Sequence, residues 1–310
     1  MKLQILNSKL YILYIAVAVA SVLFVNNAKA VTISPLNFEL TGNPGDTVSN
    51  VVRIYNDLDV GIGVTMEAQD FVSAGEQGQV LIKGHEESNT YSLESWISLS
   101  PQTFSLAPHS SQMVEFTVKI PAGGEPGGHY ASVLATVSGE TPGGGVGINQ
   151  KVGALLLLSV AGEISENLGL VDFNPDSDFT EYGPEKLIAR FKNDGTVHLK
   201  PRGFVIIKNV LGNEVVKMEL PQLNVLPQSA RTVDIPLKLG NQFGRYEATL
   251  AAIYGATNEP LSAITVYWVI PYKLLAVYGG ILLAFLIAAY MARKRIGLAL
   301  RILFRGEQKS

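Results

Sequence analysis

Val114-Glu115-Phe116-Thr117-Val118-Lys119-Ile120 alternates apolar and polar residues without a break, and Pro121 ends the run. Successive side chains of a strand point to opposite faces, so a period of two describes a strand with one covered face; a helix would need a spacing near 3.6. The same alternation recurs in Ile62, Val64, Met66 and Ala68, and in Tyr130, Ser132, Leu134 and Thr136 set against Ala131, Val133, Ala135 and Val137. Leu155 to Leu158 is apolar on both faces, as suits a central strand. Turn chemistry separates the runs at Gly42-Asn43-Pro44-Gly45-Asp46, at Gly123-Gly124-Glu125-Pro126-Gly127-Gly128 and at Gly143-Gly144-Gly145. The alternation predicts buried Trp96, Phe116, Leu134 and Leu156.

From Glu163 onward the texture repeats. Leu187 to Lys192 leads into Asn193-Asp194-Gly195-Thr196, read as a hairpin, and Phe204 to Lys208 leads into Gly212-Asn213, read as another. Phe204, Ile235 and Leu250 are the expected core of this half. The halves also share landmarks. Tyr55-Asn56-Asp57 matches Lys192-Asn193-Asp194, Leu106-Ala107-Pro108 matches Leu226-Pro227, and GHYASVLA from Gly128 echoes GRYEATLA from Gly244. The offset shrinks along these pairs, so the first half carries extra residues between its Asn-Asp and its Leu-Ala-Pro, expected around residues 73–96. The fold class is therefore all-β: two tandem immunoglobulin-like β-sandwiches, residues 31–162 and 163–271.

A single transmembrane α-helix follows. Residues 274–292 read LLAVYGGILLAFLIAAYMA, with no charge and no proline, and at about 1.5 Å per residue they reach roughly 28 Å, a bilayer's hydrocarbon thickness. Arg293, Lys294 and Arg295 come next and mark the cytoplasmic side, so residues 293–310 are a basic inner tail. Tyr272 and Tyr290 sit near the two ends, where amphipathic rings favour the headgroup level. The short apolar segment Ile296 to Phe304 is expected to lie on the inner membrane face. At the other terminus, Lys2 and Lys9 flank a polar start, an apolar run follows, and Ala28-Lys29-Ala30 has the form a signal peptidase accepts. Residues 1–30 are the expected signal peptide, with a retained signal anchor as the competing reading. No Cys follows the apolar run, which argues against a lipoprotein anchor.

Between the signal and the membrane helix the chain carries 14 basic and 26 acidic residues, a balance of −12 that argues against nucleic acid as a partner. Residues 31–162 are the more acidic half. The chain has no Cys, hence no disulfide, thiolate metal site or cysteine nucleophile. With no N-x-Ser/Thr sequon after residue 30, this points to a bacterial surface.

Chemistry-bearing motifs are sparse. No G-x-S-x-G elbow occurs, and His85, His109, His129 and His198 are scattered, with His85-Glu86-Glu87-Ser88-Asn89 lacking a second zinc-binding His. The Gly-rich run 143–147 lacks the Lys-Ser/Thr of a phosphate cradle. Asp172, Asn174, Asp176 and Asp178 are the metal candidates, since oxygen ligands at alternate positions open a calcium loop. Ser177 replaces the glycine such a loop needs, and Gly183 stands where its glutamate belongs. No metal or cofactor is expected. Gly127, Gly128, His129 and Tyr130 read either as a tight turn into an edge strand with Tyr130 packed inward, or as a glycine-flanked strand beside an exposed edge that takes a partner's strand, lined by His129 and a hairpin over 141–149.

The early Pro44-Gly45 before a strand ending at Asn56, then Trp96-Ile97 with Pro101, Leu106 and Pro108, then Pro121 and Gly127-Gly128-His129-Tyr130, resemble the bacterial WxL-interacting cell-surface proteins. Leu226-Pro227 and Gly244-Arg245-Tyr246 extend the resemblance into the second half. It implies a signal peptide, two immunoglobulin-like domains, a membrane helix and a basic tail, and it implies partners: other surface proteins that carry a WxL domain, and peptidoglycan. The expected function is that of a non-enzymatic, membrane-anchored cell-surface protein that binds or tethers other envelope components. The alternative is a membrane-anchored chaperone or assembly subunit acting by strand addition, and an enzyme stands third.

Overall fold

A computed structural model describes residues 29–84, 90–138, 150–237 and 243–305, with side chains as far as residue 293. The expected signal peptide up to residue 28, His85, the 141–149 hairpin with its glycine run, and the side chains of Lys294 and Arg295 lie outside the described residues. The chain is mostly β, in sandwich-like sheets, with one C-terminal apolar helix. Its contacts divide it into two units: one holds residues up to 71, 82–125 and 129–160, the other 72–81, 126–128 and 161 onward. Residues 72–81 and 126–128, which precede residue 162 in sequence, are thus counted with the second unit.

In the first unit, β1 (Val31–Ser34), β3 (Thr47–Asn56), β8 (Ser111–Lys119) and β6 (Ile97–Ser100) form a sheet in the order β1-β3-β8-β6. β2 (Asn37–Gly42), β10 (Gln150–Val160), β9 (Gly127–Ser138), β4 (Ile62–Ala74) and β5 (Gln79–Ile82) form the other in that order, and β7 (Thr103–Leu106) pairs with the first part of β4. The alternation of β8 is what builds the core. Val114, Phe116 and Val118 are fully buried, while Glu115 and Lys119 face out. The Phe116 ring meets Phe38 edge-on, with centroids 4.8 Å apart. Leu134 and Leu156 are buried as expected, and Trp96 is half-buried against the core edge.

β9 departs from its reading as a strand with one covered face. It lies between β10 and β4 and is buried on both sides over most of its length. Ala131, Val133 and Ala135 face the main core, while Tyr130 on the other face is covered by the rings of Phe71 and Tyr91.

The second unit repeats the first strand for strand. β11 (Leu168–Pro175), β13 (Lys186–Asn193) and β16 (Ser229–Pro236) form one sheet; β12 (Phe179–Thr180), β18 (Glu259–Val269), β17 (Gly244–Tyr254), β14 (Arg202–Asn209) and β15 (Glu214–Glu219) form the other. The parallel pairing of β2 with β10 recurs as that of β12 with β18. The first unit's additions are β6 and β7.

Two expectations are corrected here. Asn193-Asp194-Gly195-Thr196 is not a hairpin, because β13 and β14 on either side of it belong to different sheets. Phe204 is 43% exposed, because in β14 Val205 and Ile207 point inward and a shift of one residue reverses the face. Ile235 and Leu250 are buried. The β14–β15 hairpin stands as read, with Gly212 supplying a φ of 79°.

β18 passes through Pro271 into the helix α1 (Tyr272–Arg305). It does not end at residue 292: the basic residues continue it without a break, and no proline interrupts it.

Candidate functional site

Ile97-Ser98-Leu99-Ser100 forms β6, an edge strand that among the described residues has β8 on one side only. Ile97 and Leu99 are half-buried while Ser98 and Ser100 face water. Across from them lies the middle of β4, and between the two runs a cleft of about 370 Å³ lined by Met66, Glu67, Glu94, Ile97 and Leu99. The sandwich is open along this seam. An edge strand beside an open cleft that offers apolar side chains such as Met66, Ile97 and Leu99 is an arrangement that accepts an added strand, with backbone pairing on the edge and alternate side chains in the cleft.

A buried carboxylate sets the geometry of the seam. Asp70, 4% exposed, accepts at Oδ1 from the amides of Leu93 (2.8 Å) and Glu94 (2.9 Å) at the start of the 3₁₀ turn Glu94–Trp96. Glu94 Oε2 in turn accepts from the Asp70 amide at 3.1 Å. This reciprocal pair fixes where the chain turns into β6. At the rim, Glu67 pairs with Lys151 at 2.7 Å.

The structure puts the four residues read as a partner-binding edge in the interior. Gly127, Gly128, His129 and Tyr130 open β9, both of whose ladders are occupied, and all four are buried. The reading of an open edge there is therefore corrected to packing. His129, 5% exposed, has Nδ1 2.8 Å from Ser92 O and Nε2 2.9 Å from Glu125 O, and its ring packs on Trp96 at 4.4 Å. Within the second unit the Gly128 amide donates to Thr196 O at 2.8 Å, and a Cβ on Gly127 would stand 2.9 Å from that oxygen.

Asp172 and Asn174 lie on the extended strand β11, not on a loop, and Asn174 Nδ2 donates to Asp172 Oδ1. Asp176 Oδ2 accepts from the Glu185 amide at 3.2 Å, and the Asp178 carbonyl accepts from the Trp268 amide. Among the described residues no three His, Asp or Glu side chains group as metal ligands. His109 lies 3.0 Å from the Asp59 carboxylate.

Residues 272–293 of α1 have a mean hydropathy of 2.3 and none of them is buried, so by length and composition this helix can cross a bilayer. Lys273 Nζ meets Glu181 Oε2 at 2.7 Å at its start, and the Arg293 guanidinium lies over the Tyr290 ring at 4.1 Å near its other charged end. Arg293, Lys294 and Arg295 all belong to the helix.

Sequence reasoning missed Asp70 and Glu181, single carboxylates in unremarkable surroundings whose partners are distant in the chain. It also left out the edge position of β6, although the Ile-Ser-Leu-Ser alternation was there to be read.

No family model matches the chain, and no curated protein matches it. Among solved structures it is similar to the class 5 fimbriae chaperone CfaA, at 13% identity and a TM-score of 0.39, covering 78% of this chain and all of that one. It is similar also to the E. coli chaperone DraB, at 11% and 0.36, covering 77% of this chain and 99% of that one. A Salmonella enterica SafA pilin–SafB chaperone complex gives 11% and 0.35, with 79% and 98% covered. At such identities and scores the likeness carries nothing on activity or partner.

Proposed function

We propose that this chain is a non-enzymatic, membrane-anchored surface protein that holds another envelope protein on its first unit, at the seam between β6 and β4. The observation that carries the reading is that seam: an edge strand, unpaired on its outer side among the described residues, whose half-buried Ile97 and Leu99 line an open cleft of mixed polar and apolar character. The bare apolar helix α1 supports the anchor, with the sandwich units outside the membrane and the basic tail inside. Of the two ways of holding a partner, strand addition is favoured over side-chain docking, because the cleft adjoins an edge strand, not a closed sheet face. The acidic balance of residues 31–162 favours a partner segment that is apolar on one face and basic on the other. The resemblance to WxL-interacting proteins suggests that this segment belongs to a WxL-domain surface protein, with peptidoglycan as a further contact.

The test is photo-crosslinking in the full-length chain in its own membrane. A photoreactive residue in place of the exposed Gln102, at the lip of the cleft, should give a discrete adduct with one other protein. The same residue at Thr257, on the far hairpin of the second unit, should not. An adduct at Thr257 with none at Gln102 would place the binding surface elsewhere.

A further inference from the structure

The end of the second unit from which α1 leaves carries five exposed aromatic side chains. They are Phe179 (69% exposed), Tyr182 (66%), Phe243 (69%), Trp268 (41%) and Tyr272 (58%). Residues far apart in sequence reach this end through strand register. Phe179 on β12 is the direct partner of Trp268 on β18, so both rings stand on the outward face, opposite in sense to the buried Tyr267 and Val269. Gly244 pairs with Val269, which brings Phe243 level with Ile270. Thr180 also pairs with Val269, and its amide-bonded neighbour Ile270 donates to Thr180 O, which brings Tyr182 level with the first turn of α1. All five therefore lie at the height where the chain passes from sheet to apolar helix.

Charge at this end is arranged to match. Lys273, the first charged residue of the helix, is paired with Glu181, whose side chain is only 9% exposed and which lies between Thr180 and Tyr182. The pair ties the segment holding Phe179 and Tyr182 to the helix's first turn and neutralises the lysine where the span begins. Arg245, opposite Trp268 on β17, is half-exposed beside Glu247.

Five exposed rings in one band make an apolar surface unusual for a water-facing end. Aromatic side chains collect at the membrane–water boundary, where a ring is accommodated between headgroups and acyl chains. We infer that this end of the second unit is a lipid-docking collar, with Phe179, Tyr182, Phe243, Trp268 and Tyr272 seated in the outer headgroup layer around the emerging helix. The partner is the bilayer interface itself, argued from the collar's continuity with the span. The inference rests on the membrane-anchor reading. It goes beyond it, because a span alone requires no contact between the sandwich and lipid.

The chain has two tryptophans, Trp96 and Trp268, so Trp96→Phe leaves Trp268 as sole reporter. The full-length variant is reconstituted in phosphatidylcholine vesicles containing lipids brominated either near the headgroup or near the acyl terminus. A second chain, with Trp96→Phe, Trp268→Phe and Leu283→Trp, reports the middle of the helix. The collar predicts that headgroup-side bromine removes most Trp268 emission, that acyl-terminal bromine does so less, and that aqueous iodide has little access. If the Leu283→Trp reporter is quenched by acyl-terminal bromine while Trp268 stays bright and open to iodide, the collar is overturned and the anchor stands. That result would give the aromatic band to a protein partner. If neither reporter is quenched, the anchor reading fails and the collar with it.

Discussion

Asn56 and Asn193 occupy the same place in their respective units and make the same hydrogen bonds. Each is fully buried. Asn56 Nδ2 donates to Val60 O at 2.9 Å, to Leu106 O at 3.3 Å and to Ala107 O at 3.0 Å, while Oδ1 accepts from the Leu58 amide. Asn193 Nδ2 donates to Val197 O and Val225 O, both at 2.8 Å, while Oδ1 accepts from the Gly195 amide. In each unit one side chain ties the end of a strand to its own following turn and to the Leu-Ala-Pro or Val-Leu-Pro segment. Replacing either by Ala removes these bonds from the strand end and takes from Val60 O or Val197 O its side-chain donor, at a cost on the order of 1–3 kcal/mol. Hydrogen exchange on the full chain should show Asn56→Ala weakening β3 and β8, and Asn193→Ala weakening β13 and β16. Unchanged protection in the strands named would mean that these side-chain bonds do not hold the strand ends.

Phe116 and Phe204 separate a core ring from a surface one. Phe116→Ala empties a fully buried site and should cost roughly 3–5 kcal/mol. Phe204 is exposed beneath Lys217, whose Nζ lies 4.7 Å from the ring centre, so Phe204→Ala should cost no more than about 1 kcal/mol. Urea denaturation of the two variants gives the comparison, and equal losses would contradict the facing assigned to β14.

The repeat was legible because its landmarks are local. Asn-Asp after a strand, Pro108 and Pro227 before one, and the matching Gly-x-Tyr openings all stand in short stretches of chain. The structure extends the match further: His109 and Gln228, each following its proline, both have a φ of 53°, and Ser110 and Ser229 hydroxyls donate to Ala107 O and Leu226 O. What stayed hidden depends on distant partners. Nothing beside Phe204 says which parity of β14 faces inward. Nothing beside Tyr130 announces that Phe71 and Tyr91 cover the second face of β9. The extra residues of the first half were expected around residues 73–96, whereas its two added strands, β6 and β7, come just after, because a strand's sheet is set by pairing across the fold. The Gly127–Tyr130 site failed for the same reason: edge or centre is a property of neighbours.

The turn at Asp46 has a calculable response to acid. Asp46 Oδ2 accepts from the Asn43 amide at 2.8 Å and from Asn43 Nδ2 at 3.0 Å, and these bonds hold the carboxyl below the usual carboxylate range. A depressed folded value stabilises the fold above the unfolded value, near pH 4, and the contribution fades as pH falls through the folded value. Melting temperatures of the native chain should therefore exceed those of Asp46→Asn at neutral pH, with the gap closing on acidification below about pH 4. A gap that widens in acid would reverse the assigned sign.

The acidic strand at Asp172 should ignore calcium. Asp172 and Asn174 bond to each other along an extended strand, and Asp176 caps the Glu185 amide, so their oxygens do not converge. Millimolar calcium and excess chelator should give the same melting temperature. A calcium-dependent rise that Asp176→Ala abolishes would reinstate the site.

The account stands on α1 as an anchor that leaves the sandwich units outside the cell. Because the chain has no cysteine, single-cysteine variants report topology without background. Thr257→Cys lies on the exposed hairpin between β17 and β18, and Gln308→Cys lies in the tail after Arg305. Intact, wall-stripped cells are treated with a membrane-impermeant maleimide, with and without permeabilisation. The account predicts that Thr257→Cys is labelled on intact cells and Gln308→Cys only after permeabilisation. Labelling of Gln308→Cys on intact cells, with Thr257→Cys protected, would contradict it.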